Sequence, residues 1–188
     1  NIINFVEMDT VIGRIGGKVI LTLHFNAFNF MVGILIENKT AAEVSAKITA
    51  LKTKLKLDGF SFGKIMPLIL TDNGGEFSNV SAIENDDSGT KETHLFFCDP
   101  NAPYEKPHIE KNHTLFRDIV PKGSSFDGFT QDTVNLIFSH VNAIKRQNFN
   151  GKSAYDLFSF AYSPELAQSF GISFVNPKNV IQSPNLLK

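Results

Sequence analysis

Phe5-Val6-Glu7-Met8-Asp9-Thr10-Val11-Ile12 is an apolar run with a carboxylate in its middle. Its Val, Ile and Phe content predicts a β-strand, a setting that disfavours Asp. If that strand is central, burying the charge is costly unless hydrogen-bond donors or a cation compensate, and a metal ion is the natural partner. The alternative is an edge strand or a turn, where Asp9 stays solvated. Working outward, three strands are predicted over Ile2 to Ile12, Lys18 to Phe25 and Phe28 to Ile36. Gly13, Gly16 and Gly17 close the first connection, and Asn26 with Ala27 the second. Connections this short fit an antiparallel meander, because parallel neighbours need a long crossover.

A helix follows. Thr40 can cap it and Glu43 completes a capping box, while Val44, Ile48, Leu51 and Leu55 recur at helical spacing. A loop from Leu57 to Met66 leads to a short buried strand, Pro67 to Thr71. The acidic stretch Ser78 to Glu92 predicts an exposed, mobile loop. A fifth strand spans Thr93 to Cys98, and Pro107 is suited to open a helix that runs to about Val120 and stops at Pro121-Lys122-Gly123. Helices are further expected over Thr130 to Arg146, Ser153 to Ala161, and from Ser163-Pro164 to Gly171, with an irregular tail over 176–188. The order predicts an α/β fold: a mixed five-stranded sheet, a three-strand antiparallel meander followed by parallel strands, flanked by helices.

The chain has 188 residues, 18 Lys and Arg against 19 Asp and Glu, and one cysteine, which excludes an internal disulfide framework. A chain of this length needs no metal or disulfide staple for its core. The longest clean apolar run, Met31 to Ile36, is far too short to span a bilayer, so a cytoplasmic protein is expected. Opening at Asn1 without an initiator Met, the sequence is expected to be part of a longer protein.

Two further carboxylates stand out. Asp72 follows the apolar run Leu68-Ile69-Leu70-Thr71 directly, at a strand's C-terminal end, where open α/β sheets place their sites. A hairpin turn is its alternative, since Asp-Asn-Gly is a turn signal, but the following residues do not form a returning strand. Glu110 falls near the start of the Pro107 helix, where Glu110, His113, Thr114 and Arg117 share a polar face; taken alone, that pattern is most often a solvated face. His108 and His113 lack zinc-site spacing, His24 is expected to be packed or half-exposed, and Cys98 is expected to be an inert strand-end thiol.

Four segments together resemble the catalytic core of DDE transposases: Glu7-Met8-Asp9-Thr10-Val11-Ile12-Gly13, Asn38-Lys39-Thr40-Ala41, Thr71-Asp72-Asn73-Gly74-Gly75-Glu76-Phe77, and Asp99-Pro100 ahead of Glu110. The similarity is to bacterial insertion-sequence transposases of the IS-thirty type, within the retroviral-integrase superfamily. It continues through Leu115-Phe116-Arg117 and Pro121-Lys122-Gly123, and more weakly through Phe149 to Phe158. The resemblance implies a ribonuclease H-like fold, with a catalytic core over 1–175, the tail over 176–188, and an upstream DNA-binding domain outside this sequence. It implies that Asp9, Asp72 and Glu110 are the catalytic and metal-binding triad, holding two Mg²⁺ or Mn²⁺ ions. Arg117, and with it Lys111 and Lys122, would contact DNA phosphates. Glu105 is the rival third carboxylate, but it precedes Pro107 and so lies outside the helix. Where the family commonly has Glu-Arg-Gly, this sequence has Glu105-Lys106-Pro107, and Ile109 and Lys111 stand where asparagines usually flank the glutamate.

The implied activity is metal-dependent cleavage of DNA at transposon ends, followed by strand transfer into target DNA by a homo-oligomer. Two alternatives stand beside it: a catalytically inactive DNA-associated or dimerisation module derived from such a core, and a ribonuclease H-like nuclease that cleaves without joining. The net charge of −1 predicts weak DNA binding by this portion alone. Basic stretches lie at 37–56, with five Lys against two Glu, and at 145–188, with five basic residues against two acidic.

Overall fold

The computed structural model describes residues 5–98 and 107–188, with only the backbone for 107–112. Strands β1 (Val6–Ile12), β2 (Val19–Phe25) and β3 (Phe30–Ile36) form the expected antiparallel meander. Strands β4 (Leu68–Thr71) and β5 (His94–Phe97) join it in parallel, giving the order β3-β2-β1-β4-β5. β1 is therefore the central strand. This removes the edge-strand alternative for Asp9.

Helix α1 (Ala41–Leu57) starts where its capping signal predicts, but only half of the expected capping box forms: the Thr40 hydroxyl accepts from the Glu43 amide, while the Glu43 carboxylate accepts from the amides of Glu37 and Asn38 rather than that of Thr40. Its buried stripe is Val44, Ile48, Leu51 and Leu55. Helices α4 (Pro107–Ile119) and α5 (Gln131–Ala143) pack together through Phe116 stacked on Phe138. α5 lies so close to β3 that a Cβ on Gly33 would stand 2.2 Å from the Phe138 ring. α6 (Ala154–Ala161) and α7 (Pro164–Ser169) complete the core with an aromatic cluster in which Phe158 stacks on Phe30 at 3.9 Å and meets Phe25 and Phe170 edge-on. Aromatic pairs at such separations add to the burial of their area.

Three expectations are corrected. The loop Leu57 to Met66 contains a short helix, α2 (Phe62–Ile65), anchored by buried Phe62 and Ile65. The acidic stretch Ser78 to Glu92 is not a free loop: it folds into α3 (Val80–Glu84) with Ile83 fully buried, and Asn85 bridges to Lys91. There the Glu84 carboxylate accepts from the Leu95 amide at 2.9 Å and pairs with Lys91. Burial pushes its pKa up, but these partners more than offset that and hold it below the usual range. The third correction concerns α5, which ends at Ala143 rather than Arg146, because Lys145–Arg146 pairs instead with Lys152–Ser153 as a small hairpin, β6 and β7.

Candidate active site

Parallel pairing of β1 with β4 runs Val6 opposite Ile69 and Glu7 opposite Leu70. The Thr71 hydroxyl, donating to the Met8 carbonyl at 3.0 Å, continues that register. One step further, the same offset sets Asp9 level with Asp72, just past the end of β4. Register neighbours share a face of the sheet, and that alternation, carried one residue past β4, would bring both carboxylates out on one side of it. Asp9 is half-buried and Asp72 exposed. The Thr10 amide donates to Asp9 Oδ1 at 2.8 Å, and the Gly74 amide to Asp72 Oδ1 at 2.9 Å. Local amides thus fix both carboxylates.

Helix α4 covers this face. Thr22 stands opposite Asp9 in β2, and its hydroxyl lies 3.3 Å from His113 Nε2 on α4 while donating to the Asp9 carbonyl at 3.2 Å. Glu110 sits in α4 one turn before His113; its side chain and that of Lys111 lie outside the described residues, as does Glu105. At the other end of the helix, Arg117 Nη2 donates to the Ile12 carbonyl at 2.8 Å, three residues beyond Asp9, and the guanidinium lies over the Phe116 ring. Burial lowers the Arg117 pKa from its usual value. Lys122 is exposed in the turn after α4. Glu7 and His24, two pairs along the ladder from Asp9, are fully buried, with the Glu7 carboxylate 3.6 Å from the His24 ring and accepting from Asn26 at 2.9 Å. Of the packed or half-exposed settings expected for His24, the fold provides the packed one; Cys98 is buried.

Sequence reasoning gave no role to Glu76 or Lys39. The Glu76 side chain is 5% exposed, and its Oε1 accepts from the Thr10 hydroxyl at 2.9 Å and pairs with Lys39 Nζ at 3.0 Å. The signal available in the sequence was their place inside two of the family-like segments. Among the described residues no three His, Cys, Asp or Glu side chains form a cation-sized group, Asp9 and Asp72 being the described part of the predicted triad. The basic face expected along 37–56 is largely engaged: Lys39 pairs with Glu76, Lys52 with Glu92 and Lys54 with Asp58.

Known proteins resemble the chain along most of its length. It is 32% identical over 156 residues to a protein named as an integrase, ORF3 of Spiroplasma virus SpV1-R8A2 B, an alignment covering 83% of this chain and 46% of the relative. It is 27% identical over 129 residues to the transposase for insertion sequence element IS1086 of Cupriavidus metallidurans, covering 65% of this chain and 37% of that protein. The chain is a homologue of insertion-sequence transposases and integrases. A third homologue, named as a transposase for insertion-like sequence element IS1161 of Streptococcus salivarius, is 29% identical over 157 residues, covering 81% of this chain and 40% of the relative. The transposase homologue described here thus spans less than half the length of each of these relatives. No family model matches it. Its fold is similar to the catalytic core domain of BIV integrase, with a TM-score of 0.58 and 18% identity over 84% of this chain and 95% of that domain. The fold is ribonuclease H-like. No described helix is long and apolar enough to cross a membrane.

Proposed function

We infer that this transposase homologue is the catalytic core of a DNA transposase, cleaving DNA at the ends of a mobile element and transferring the freed strand to a target through Asp9, Asp72 and Glu110. The observation that supports this is the register of β1 and β4, which, carried one residue past the end of β4, would bring Asp9 level with Asp72 on the face covered by α4, the helix that bears Glu110. Carboxylate oxygens at the rim of a sheet are the donors that hard divalent cations take, so the residues fit Mg²⁺ or Mn²⁺. Two such cations, when bound, supply Lewis acidity to the attacking and leaving oxygens of a phosphodiester. Asp9 and Asp72 would hold them from the sheet and Glu110 from α4. Lys111 and Lys122, with Arg117, would position phosphates, a role that fixes register on DNA without reading its sequence. Recognition of the element's ends belongs, on this reading, to a region outside this sequence, and the active complex is a homo-oligomer on DNA.

Calorimetric titration with Mn²⁺ tests the triad. Binding is expected in the wild type and weakened in Asp9→Asn, Asp72→Asn and Glu110→Gln alike. Binding unaffected by the three substitutions would break the assignment. Incubation of the chain with Mn²⁺ and an end-labelled duplex separates the chemistries: a joined product of altered length marks strand transfer, while cleavage fragments alone mark a nuclease.

A further inference from the structure

We propose that Glu76, clamped by Lys39 and Thr10, is a positioning residue that holds the Asp72 loop against β1 and so sets the cation affinity of the Asp9–Asp72 pair; this rests on the metal-dependent reading above. Glu76 lies in a 3-10 turn (Gly75–Phe77), four residues beyond Asp72, and is 6% exposed. A buried carboxylate is expensive unless its oxygens are met, and Oε1 is met twice, by the Thr10 hydroxyl and by the Lys39 ammonium. These donors come from two other segments: Thr10 follows Asp9 on the central strand, and Lys39 belongs to the connection between β3 and α1. Because side chains alternate along a strand, Thr10 projects on the face opposite Asp9. Glu76 therefore braces the loop from behind while the metal-facing side stays open.

The second carboxylate oxygen faces Gly74. A Cβ built on Gly74 would stand 2.5 Å from Glu76 Oε2 and 2.9 Å from Asp72 Oδ1, so both carboxylates close on the same glycine. Gly74 has φ −61°, a conformation open to any residue; what the position requires is the absence of a side chain. Its amide holds Asp72 Oδ1 while its open side admits Glu76. Lys39 and Thr10 thus hold Glu76, and the Gly74 amide holds Asp72, within one short stretch of chain. Groups that orient metal-binding carboxylates in this way typically govern affinity about as strongly as tenfold or more.

Glu76→Gln, Lys39→Gln and Thr10→Val are expected each to weaken Mn²⁺ binding about tenfold and to speed amide hydrogen exchange over residues 72–77 measured without metal. Lys39→Arg and Thr10→Ser, which keep the donor, should retain both. A thermal melt identifies any variant that fails to fold, and partly exposed Lys39 supplies a substitution the fold tolerates. Faster exchange with unchanged Mn²⁺ affinity, or unchanged exchange, would overturn the positioning role. Absence of Mn²⁺ binding in the wild type would instead overturn the metal-dependent reading, and the inference with it.

Discussion

Gly13 shows how one residue's requirement can differ from its apparent signal. Gly13, Gly16 and Gly17 together suggest a turn, yet only Gly16 among them has a positive φ, +77°. Gly13 is needed for proximity: a Cβ there would stand 2.3 Å from the Ser124 carbonyl and 3.1 Å from the Phe126 ring. Neither the carbonyl nor the buried ring can withdraw cheaply. Gly13→Ala is expected to destabilise the chain by about 1–3 kcal/mol, the usual cost of overpacking. Urea unfolding checks this, with Gly128→Ala, where a Cβ would meet nothing, staying near wild type. The same limit explains which site residues were legible. Asp9 announces itself as a carboxylate in an apolar run, and Asp72 by following one. Their relative placement depends on the parallel offset of β1 and β4, strands separated in sequence by β2, β3, α1 and α2, and no local pattern encodes that offset. Glu76 was hidden because a glutamate after Gly-Gly has the composition of a solvated turn; its burial depends on Lys39 and Thr10, both distant in sequence.

Among the elements, β3 lies at the edge of the sheet, where an exposed row of backbone groups invites pairing with another chain. Helix α5 covers it with side-chain amides. Asn142, fully buried, accepts from the Met31 amide at 2.9 Å and donates to the Met31 carbonyl at 2.7 Å. About three turns earlier on α5, Gln131 accepts from the Leu35 amide and donates to the Gly33 carbonyl, both at 2.9 Å. Asn142→Leu keeps the volume but strands a buried donor and a buried acceptor. It is expected to cost about 2–4 kcal/mol, counting roughly 1–3 for each unmet group less what the added apolar area returns, measured by chemical unfolding. At this level the sequence was most legible where capping and periodicity agree, as in α1, α6 and the meander. It was least legible in short elements: α3 has five residues and one buried anchor, Ile83, inside an acidic stretch, so composition outweighed the one apolar signal. The end of α5 was misplaced because Lys145 and Arg146 suit a helix by propensity, and only their pairing with Lys152 and Ser153 draws them out of it.

For the whole molecule the decisive quantity is charge. With 18 basic residues against 19 acidic ones, and with Lys18, Lys39, Lys52, Lys54, Lys91 and Arg14 paired to carboxylates among the described residues, the net charge supplies no long-range attraction for phosphate. On the proposed function, Asp9 and Asp72 at the sheet rim would repel a phosphodiester brought to them. A divalent cation reverses that local sign, so metal and DNA should bind with positive coupling. Fluorescence anisotropy of a labelled duplex checks this at constant ionic strength: affinity is expected to rise about tenfold from EDTA to Ca²⁺, a coupling of roughly 1.4 kcal/mol. The double variant Asp9→Asn, Asp72→Asn should bind DNA more tightly than wild type in EDTA, because the repulsion is gone, and should gain little from Ca²⁺. Equal affinities in all four conditions would mean that DNA does not approach the sheet rim. The opposite asymmetry, with the variant weaker in EDTA, would make the two aspartates structural supports of the DNA surface rather than the negative pole that a cation must neutralise.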